Sequence, residues 1–119
     1  MDFEKFQKIN DTKWNVGAIE GADIVRTFKN PACGDNYVIY LKTENGRIAD
    51  AKFTTTGCGF GLAALAIAAE WVKGKTLEEA AQITDADIEK GVYGFPPRRK
   101  EYPHKAAELF RETVSQPAA

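Results

Sequence analysis

Two cysteines and one aspartate stand in settings that suggest chemistry. Cys33 lies in the run NPACGD and Cys58 in TGCGFG. Each is followed by glycine, and Asp35 lies two residues beyond Cys33. Glycine lets the backbone approach a bulky bound group and adopt a positive φ. A cysteine that only packs does not need that setting, whereas one that binds through its thiolate does. Two buried, inert thiols remain the alternative, because free cysteine is often buried.

The elements that must position these residues can be read locally. Residues 3–9 suit a short helix or ordered arm, 11–21 a loop and 23–29 a strand ended by Asn30 and Pro31. Residues 37–43 and 47–55 read as a hairpin around Glu44, Asn45 and Gly46. A three-residue loop with Gly46 left-handed is expected. It would pair Leu41 with Ala49, Ile39 with Ala51 and Tyr37 with Phe53, all on one face. Cys33 precedes the first hairpin strand and Cys58 follows the second, so antiparallel pairing should return both to one end of the sheet.

A helix is expected over about 60–73, with Leu62, Leu65, Ala66, Ala69 and Val72 as its core stripe and Gly74 as its cap. Its N-terminus, just after Cys58, would favour a thiolate or an anionic cluster. Thr76 to Glu79 is a capping box opening a short helix to about 82. Thr84 to Asp87 opens another, stopped by Gly91. Residues 91–102 read as irregular and about 103–115 as the last helix, with Pro103 in its first turn. Strands first and helices second predict an α+β fold: a three-stranded antiparallel sheet packed on one face by about four to five helices, one domain over 1–119.

Composition narrows the function. The chain has 119 residues, 44% hydrophobic, with a formal net charge of −1. No nucleic-acid or membrane partner is expected from that balance. Residues 62–72 are too short to span a bilayer, and the first ten lack the apolar core of a signal peptide. The expected compartment is the cytoplasm, where cysteines serve as thiols or ligands more than as structural disulfides. Arg98, Arg99 and Lys100 form a surface patch that could meet an acidic partner. Trp14 and Trp71 read as packing residues, while Phe60 could equally cover a site or fill core. No general base, oxyanion arrangement or phosphate loop is visible, so an enzyme in the turnover sense is not expected.

These residues together resemble iron–sulfur cluster assembly scaffolds of the NifU/IscU type. The resemblance runs from about 30 to 115. It rests on PACGD (31–35), AKFTTTGCG (51–59), EWVKGKTLEEA (70–80) and FPPRRKEYPHKAAELF (95–110). It implies the same sheet-and-helix fold and a scaffold or carrier that holds a labile [2Fe–2S] cluster or iron. The matched site positions are Cys33, Asp35 and Cys58. It also implies a cysteine desulfurase and iron–sulfur acceptor proteins as partners. The family's chaperone-recognition segment is partly kept as Phe95-Pro96-Pro97 followed by Arg98 and Arg99.

One departure matters. The family's third cysteine follows the Pro-Pro segment, and the matching positions here are Glu101 and Tyr102. His104, the single histidine, lies two residues further and could substitute as a ligand, although a lone histidine is more often a surface residue. Cys33, Asp35, Cys58 and His104 would also suit zinc. Alternatively, two copies could each give Cys33 and Cys58 to one shared [2Fe–2S] cluster, making a homodimer on cluster binding. The remaining readings are a zinc-binding relative and a module that docks to a desulfurase or acceptor without scaffold activity.

Overall fold

The computed structural model describes residues 1–30, 35–57 and 59–115. Strands β1 (Ile24–Asn30), β2 (Asp35–Glu44) and β3 (Arg47–Thr55) form one antiparallel sheet in the order β1-β2-β3. Helix α1 (Phe3–Thr12) precedes it. Helices α2 (Gly59–Val72), α3 (Leu77–Ala80), α4 (Asp85–Glu89) and α5 (Glu101–Ser115) follow. Short 3-10 turns at Lys90–Val92 and Pro97–Arg99 connect α4 to α5. This is the expected α+β architecture. Among the described residues no helix is long and apolar enough to cross a membrane.

The hairpin differs from the three-residue loop expected from register. Glu44 pairs with Arg47, leaving a two-residue turn in which Asn45 (φ 54°) and Gly46 (φ 76°) are both left-handed. That is the turn type whose twist matches paired strands. Register is instead corrected further along. Lys42 pairs with Asp50 but Thr43 pairs with Ile48, so Ala49 is an extra, exposed residue in a bulge. The bulge shifts side-chain parity by one residue. Ile48, Ala51 and Phe53 therefore share the inner face with Leu41, Ile39 and Tyr37, but in pairs two residues from those expected: Leu41 lies opposite Ala51, Ile39 opposite Phe53 and Tyr37 opposite Thr55. Ala49 was expected in the core and is out of it, because burying it would have turned Ile48 to the outer face.

The inner face is covered by α2 and α5, which also pack on each other. Ten of the fourteen residues of α2 are buried, including Ala63, Ala64, Ile67 and Ala68 outside the expected stripe. A helix apolar all round is one enclosed on all sides, here by the sheet, α1, α4 and α5. The outer face carries Val25, Thr27, Val38, Tyr40, Lys42 and Lys52 and stays exposed or half-buried. The free side of β3 is partly closed. Asn15 and Gly17 bond the backbone of Phe53 at 3.0 and 2.8 Å, while Gly74 and Lys75 bond that of Ile48 at 2.8 Å each.

Both capping boxes form: Thr76 with Glu79, and Thr84 with Asp87. Each satisfies backbone donors that would otherwise be orphaned, worth about 1 kcal/mol. Gly91 does not stop the chain's helical winding, contrary to expectation. The 3-10 turn runs through it and ends at Tyr93 (φ 55°) and Gly94 (φ 96°). Gly91 serves close approach instead: a Cβ there would lie 2.6 Å from Ile67 Cγ2 of α2. The last helix starts at Glu101, two residues earlier than expected.

Candidate functional site

Cys33 and Cys58 lie outside the described residues, as do Ala32 and Gly34 beside Cys33, but Asp35, Gly57 and Gly59 are placed. Asp35 opens β2 two residues after Cys33, and Gly57 immediately precedes Cys58. The hairpin brings these flanks to the same end of the sheet. Thr56 N–H donates to the Asn36 carbonyl at 3.2 Å, and Asn36 N–H donates to Thr56 Oγ1 at 2.9 Å. Gly57 N–H donates to Thr55 Oγ1 at 2.9 Å, a side-chain turn that bends the chain out of β3 toward α2.

Asp35 and Gly57 are neighbours in space. A Cβ on Gly57 would stand 3.5 Å from Asp35 Oδ2 and 3.2 Å from Thr55 Oγ1. The carboxylate thus sits beside the backbone that leads into Cys58. The Tyr37 hydroxyl donates to the same Oδ2 at 3.4 Å, which orients the carboxylate from the inner face of β2. Among the described residues no three His, Asp or Glu side chains gather as a metal cage.

The far side joins residues of α1, which carry no motif, to Phe60, Arg99 and Tyr102. Asn10 of α1 donates through Nδ2 to the Gly59 carbonyl at 3.2 Å and to the Phe6 carbonyl at 3.2 Å. Phe60, half-buried at the start of α2, is tilted against Phe6 (centroids 5.0 Å) and stacked with Tyr102 (6.0 Å). The Arg99 guanidinium lies 5.2 Å from the Phe60 ring centre. Tyr102 also lies over Gly61, 3.6 Å from where its Cβ would be, beside Tyr37 and Leu65. Tyr102 is thus a packing residue here, and Glu101 points into solvent at the start of α5. Asn10 and Phe6 escaped the sequence reading because their partners lie about fifty residues away, where no local pattern reports them.

His104 is placed differently. Its side chain is 61% exposed, with Nδ1 3.0 Å from Asp85 Oδ2 of α4 and Nε2 3.9 Å from Glu108. The structure brings His104 together with Asp85, while Asp35 is brought together with Gly57 and Tyr37.

Comparison with known proteins agrees with this architecture. Residues 4–117 match the model of the NifU-like N-terminal domain. An iron–sulfur cluster assembly scaffold protein of Archaeoglobus fulgidus is 42% identical over 100 residues, covering 84% of this chain and 65% of that protein. One from Aquifex aeolicus is 38% identical over 104 residues, covering 83% and 66%. The chain thus spans about two-thirds of the length of these relatives. A crystal structure from Fervidobacterium islandicum, assigned as an iron–sulfur cluster assembly scaffold for the SUF system, superposes with a TM-score of 0.71. It is 25% identical, with 94% and 95% of the two chains covered. A nitrogen-fixing NifU-like N-terminal domain from Brucella abortus, 24% identical, shares the fold with a TM-score of 0.57 over 93% of this chain and 75% of its own. Matched over nearly its whole length, the chain belongs to the family of NifU-like N-terminal domains.

Proposed function

We propose that this chain is a scaffold or carrier that holds an iron–sulfur cluster or iron as cargo. The ligands in this reading are Cys33, Asp35 and Cys58. The supporting observation is the contact between Asp35 and Gly57, which sets the carboxylate two residues after one thiol beside the residue before the other. The names of the relatives support the same cargo.

Thiolates suit iron–sulfur clusters, and a carboxylate is a harder, weaker ligand for them. One oxygen donor among thiolates favours release, which a carrier needs. The Tyr37 hydroxyl bond to Asp35 competes with the metal for the carboxylate oxygen and adds to that lability. With no cysteine after Cys58, the alternative arrangement has two copies share their four thiolates around one [2Fe–2S] cluster, and Asp35 is then not a ligand. His104 would have to leave Asp85 to join the site as an iron or zinc ligand. A desulfurase and acceptor proteins are the partners this role requires. Transfer of cargo needs no turnover chemistry from the chain.

The test is anaerobic reconstitution with ferrous iron and sulfide, followed by absorption and metal analysis. Visible charge-transfer bands with iron and sulfide in equal amounts are expected, lost in both Cys33→Ala and Cys58→Ala. Asp35→Ala should keep the colour and release it more slowly to a chelator. A colourless protein retaining zinc would replace the carrier reading with a metal-site reading.

A further inference from the structure

A second surface lies beside the candidate site and has a different chemistry. Asp2 N–H donates to the Val92 carbonyl at 2.7 Å, which sets the first turn of α1 against the 3-10 turn at Lys90–Val92. Tyr93 follows that turn, with its side chain 75% exposed. Its φ of 55° is a left-handed conformation that a non-glycine residue rarely adopts. Gly94 N–H, bonded to the Glu89 carbonyl at 2.8 Å, fixes the turn that presents it. The Lys5 ammonium sits 5.6 Å from the Tyr93 ring centre. Phe3, 62% exposed, lies on the same first turn of α1 and meets Phe6 edge-on.

Cations ring these aromatics. Lys90 and Lys100 line a shallow hollow with Tyr93 and Gly94. Arg98 is exposed on the next 3-10 turn, and Arg99 reaches Phe60. Glu89, the carboxylate of the hollow, is already engaged by Phe95 N–H and the Lys100 ammonium. Asp2 is engaged in capping α1. Glu4 shares a hollow with Phe3, Gln7, Lys8 and Asp11, and Glu101 follows Lys100 at the start of α5. Lys5, Lys90, Arg98, Arg99 and Lys100 outnumber Asp2, Glu4 and Glu89 around these aromatics, in a chain of net charge −1.

An exposed aromatic centre within a charged rim is the anatomy of a protein-binding hot spot, with the rim steering approach. We propose that Lys5, Lys90, Tyr93, Arg98, Arg99 and Lys100 form a docking surface for a protein segment that carries acidic and apolar side chains together. The surface reaches Phe60, two residues after Cys58, so a docked partner lies beside the candidate site. The inference is independent of the cargo reading, because it concerns the metal-free chain.

The probe is a dye-labelled synthetic peptide of alternating glutamate and leucine, titrated with metal-free protein by fluorescence anisotropy. A lysine–leucine peptide of equal length is the control. Binding of the acidic peptide alone is expected, weakening as salt rises. Tyr93→Asn keeps a residue that tolerates the left-handed backbone and should bind about tenfold more weakly. Lys90→Glu and Arg98→Glu should each cost about tenfold or more. Lys52→Glu, an equal charge change on the outer face of the sheet, should leave binding unchanged. No binding at low salt, wild-type binding by Tyr93→Asn, or equal losses for Lys52→Glu and Lys90→Glu would each overturn the proposal. So would tighter binding of phosphatidylserine vesicles than of the peptide with the same variant dependence, which would assign the surface to a membrane.

Discussion

Asn10 and Gly59 are joined across the molecule: the Asn10 amide donates to the Gly59 carbonyl at 3.2 Å, and its Oδ1 lies 3.0 Å from where a Gly59 Cβ would stand. The first helix is thereby fastened to the residue that follows Cys58. Asn10→Ala should lower stability by about 1 kcal/mol, the net worth of a protein hydrogen bond. Gly59→Ala should cost a similar amount, because the doubly bonded Asn10 side chain must shift to admit the methyl group. Urea unfolding of both variants checks this. Unchanged midpoints would mean that α1 is held by Phe6, Ile9 and the Asp2–Val92 bond without help from Asn10.

Gly91 and Ile67 make a second close approach. Gly91→Ala would drive a methyl group into Ile67, with Cγ2 at 2.6 Å and Cδ1 and Cγ1 at 2.9 Å. A loss of about 1–3 kcal/mol is expected from overpacking. Ile67→Ala alone should also destabilise, by about 2–5 kcal/mol. Combining the two should cost less than the sum, since the new methyl group fills the space vacated. Thermal unfolding of the single and double variants reads the coupling, and strict additivity would rule out this contact as the cause.

The pairing of His104 with Asp85 predicts that His104→Ala leaves iron stoichiometry after reconstitution unchanged. A fall to substoichiometric iron, with the fold intact by circular dichroism, would place the imidazole at the site instead.

Acid should weaken the fold through Asp23, Glu79 and Glu89, whose carboxyls all lie below the ordinary range. The Thr43 N–H and hydroxyl on Asp23 hold its carboxyl below the ordinary range, opposed slightly by burial and helped by Lys42. The Thr76 N–H and hydroxyl do the same for Glu79, with Arg47 and Lys75 adding to it. A depressed folded pKa means that the unfolded chain takes up the proton first. The stabilisation is thus complete above the unfolded value and is lost as pH falls through the folded one. Urea midpoints should hold from neutrality to about pH 5 and then decline below about pH 4. In the double variant Asp23→Asn, Glu79→Gln that decline should be shallower. An identical decline would assign the acid sensitivity to other carboxylates.

Much of the architecture is local chemistry and is written in the chain. The capping boxes at Thr76 and Thr84 form because donor and acceptor lie within four residues of each other. The neighbourhood of Asp35 and Gly57 was legible as well, since any antiparallel pairing of residues 37–43 with 47–55 returns the chain to one end of the sheet. The glycine flanks of Cys33 and Cys58 and the absence of a later cysteine are matters of sequence alone. Tertiary packing decided the rest. The Asn45-Gly46 turn won over a longer loop because a bulge at Ala49 could repair the register and bury Ile48 with Ala51 and Phe53. Gly91 proved to be a contact point for Ile67 instead of a helix stop. His104 met Asp85, and Asn10 met Gly59, across 19 and 49 residues of chain. Such choices depend on which surfaces the folded core brings into contact, and no window of neighbouring residues contains that information.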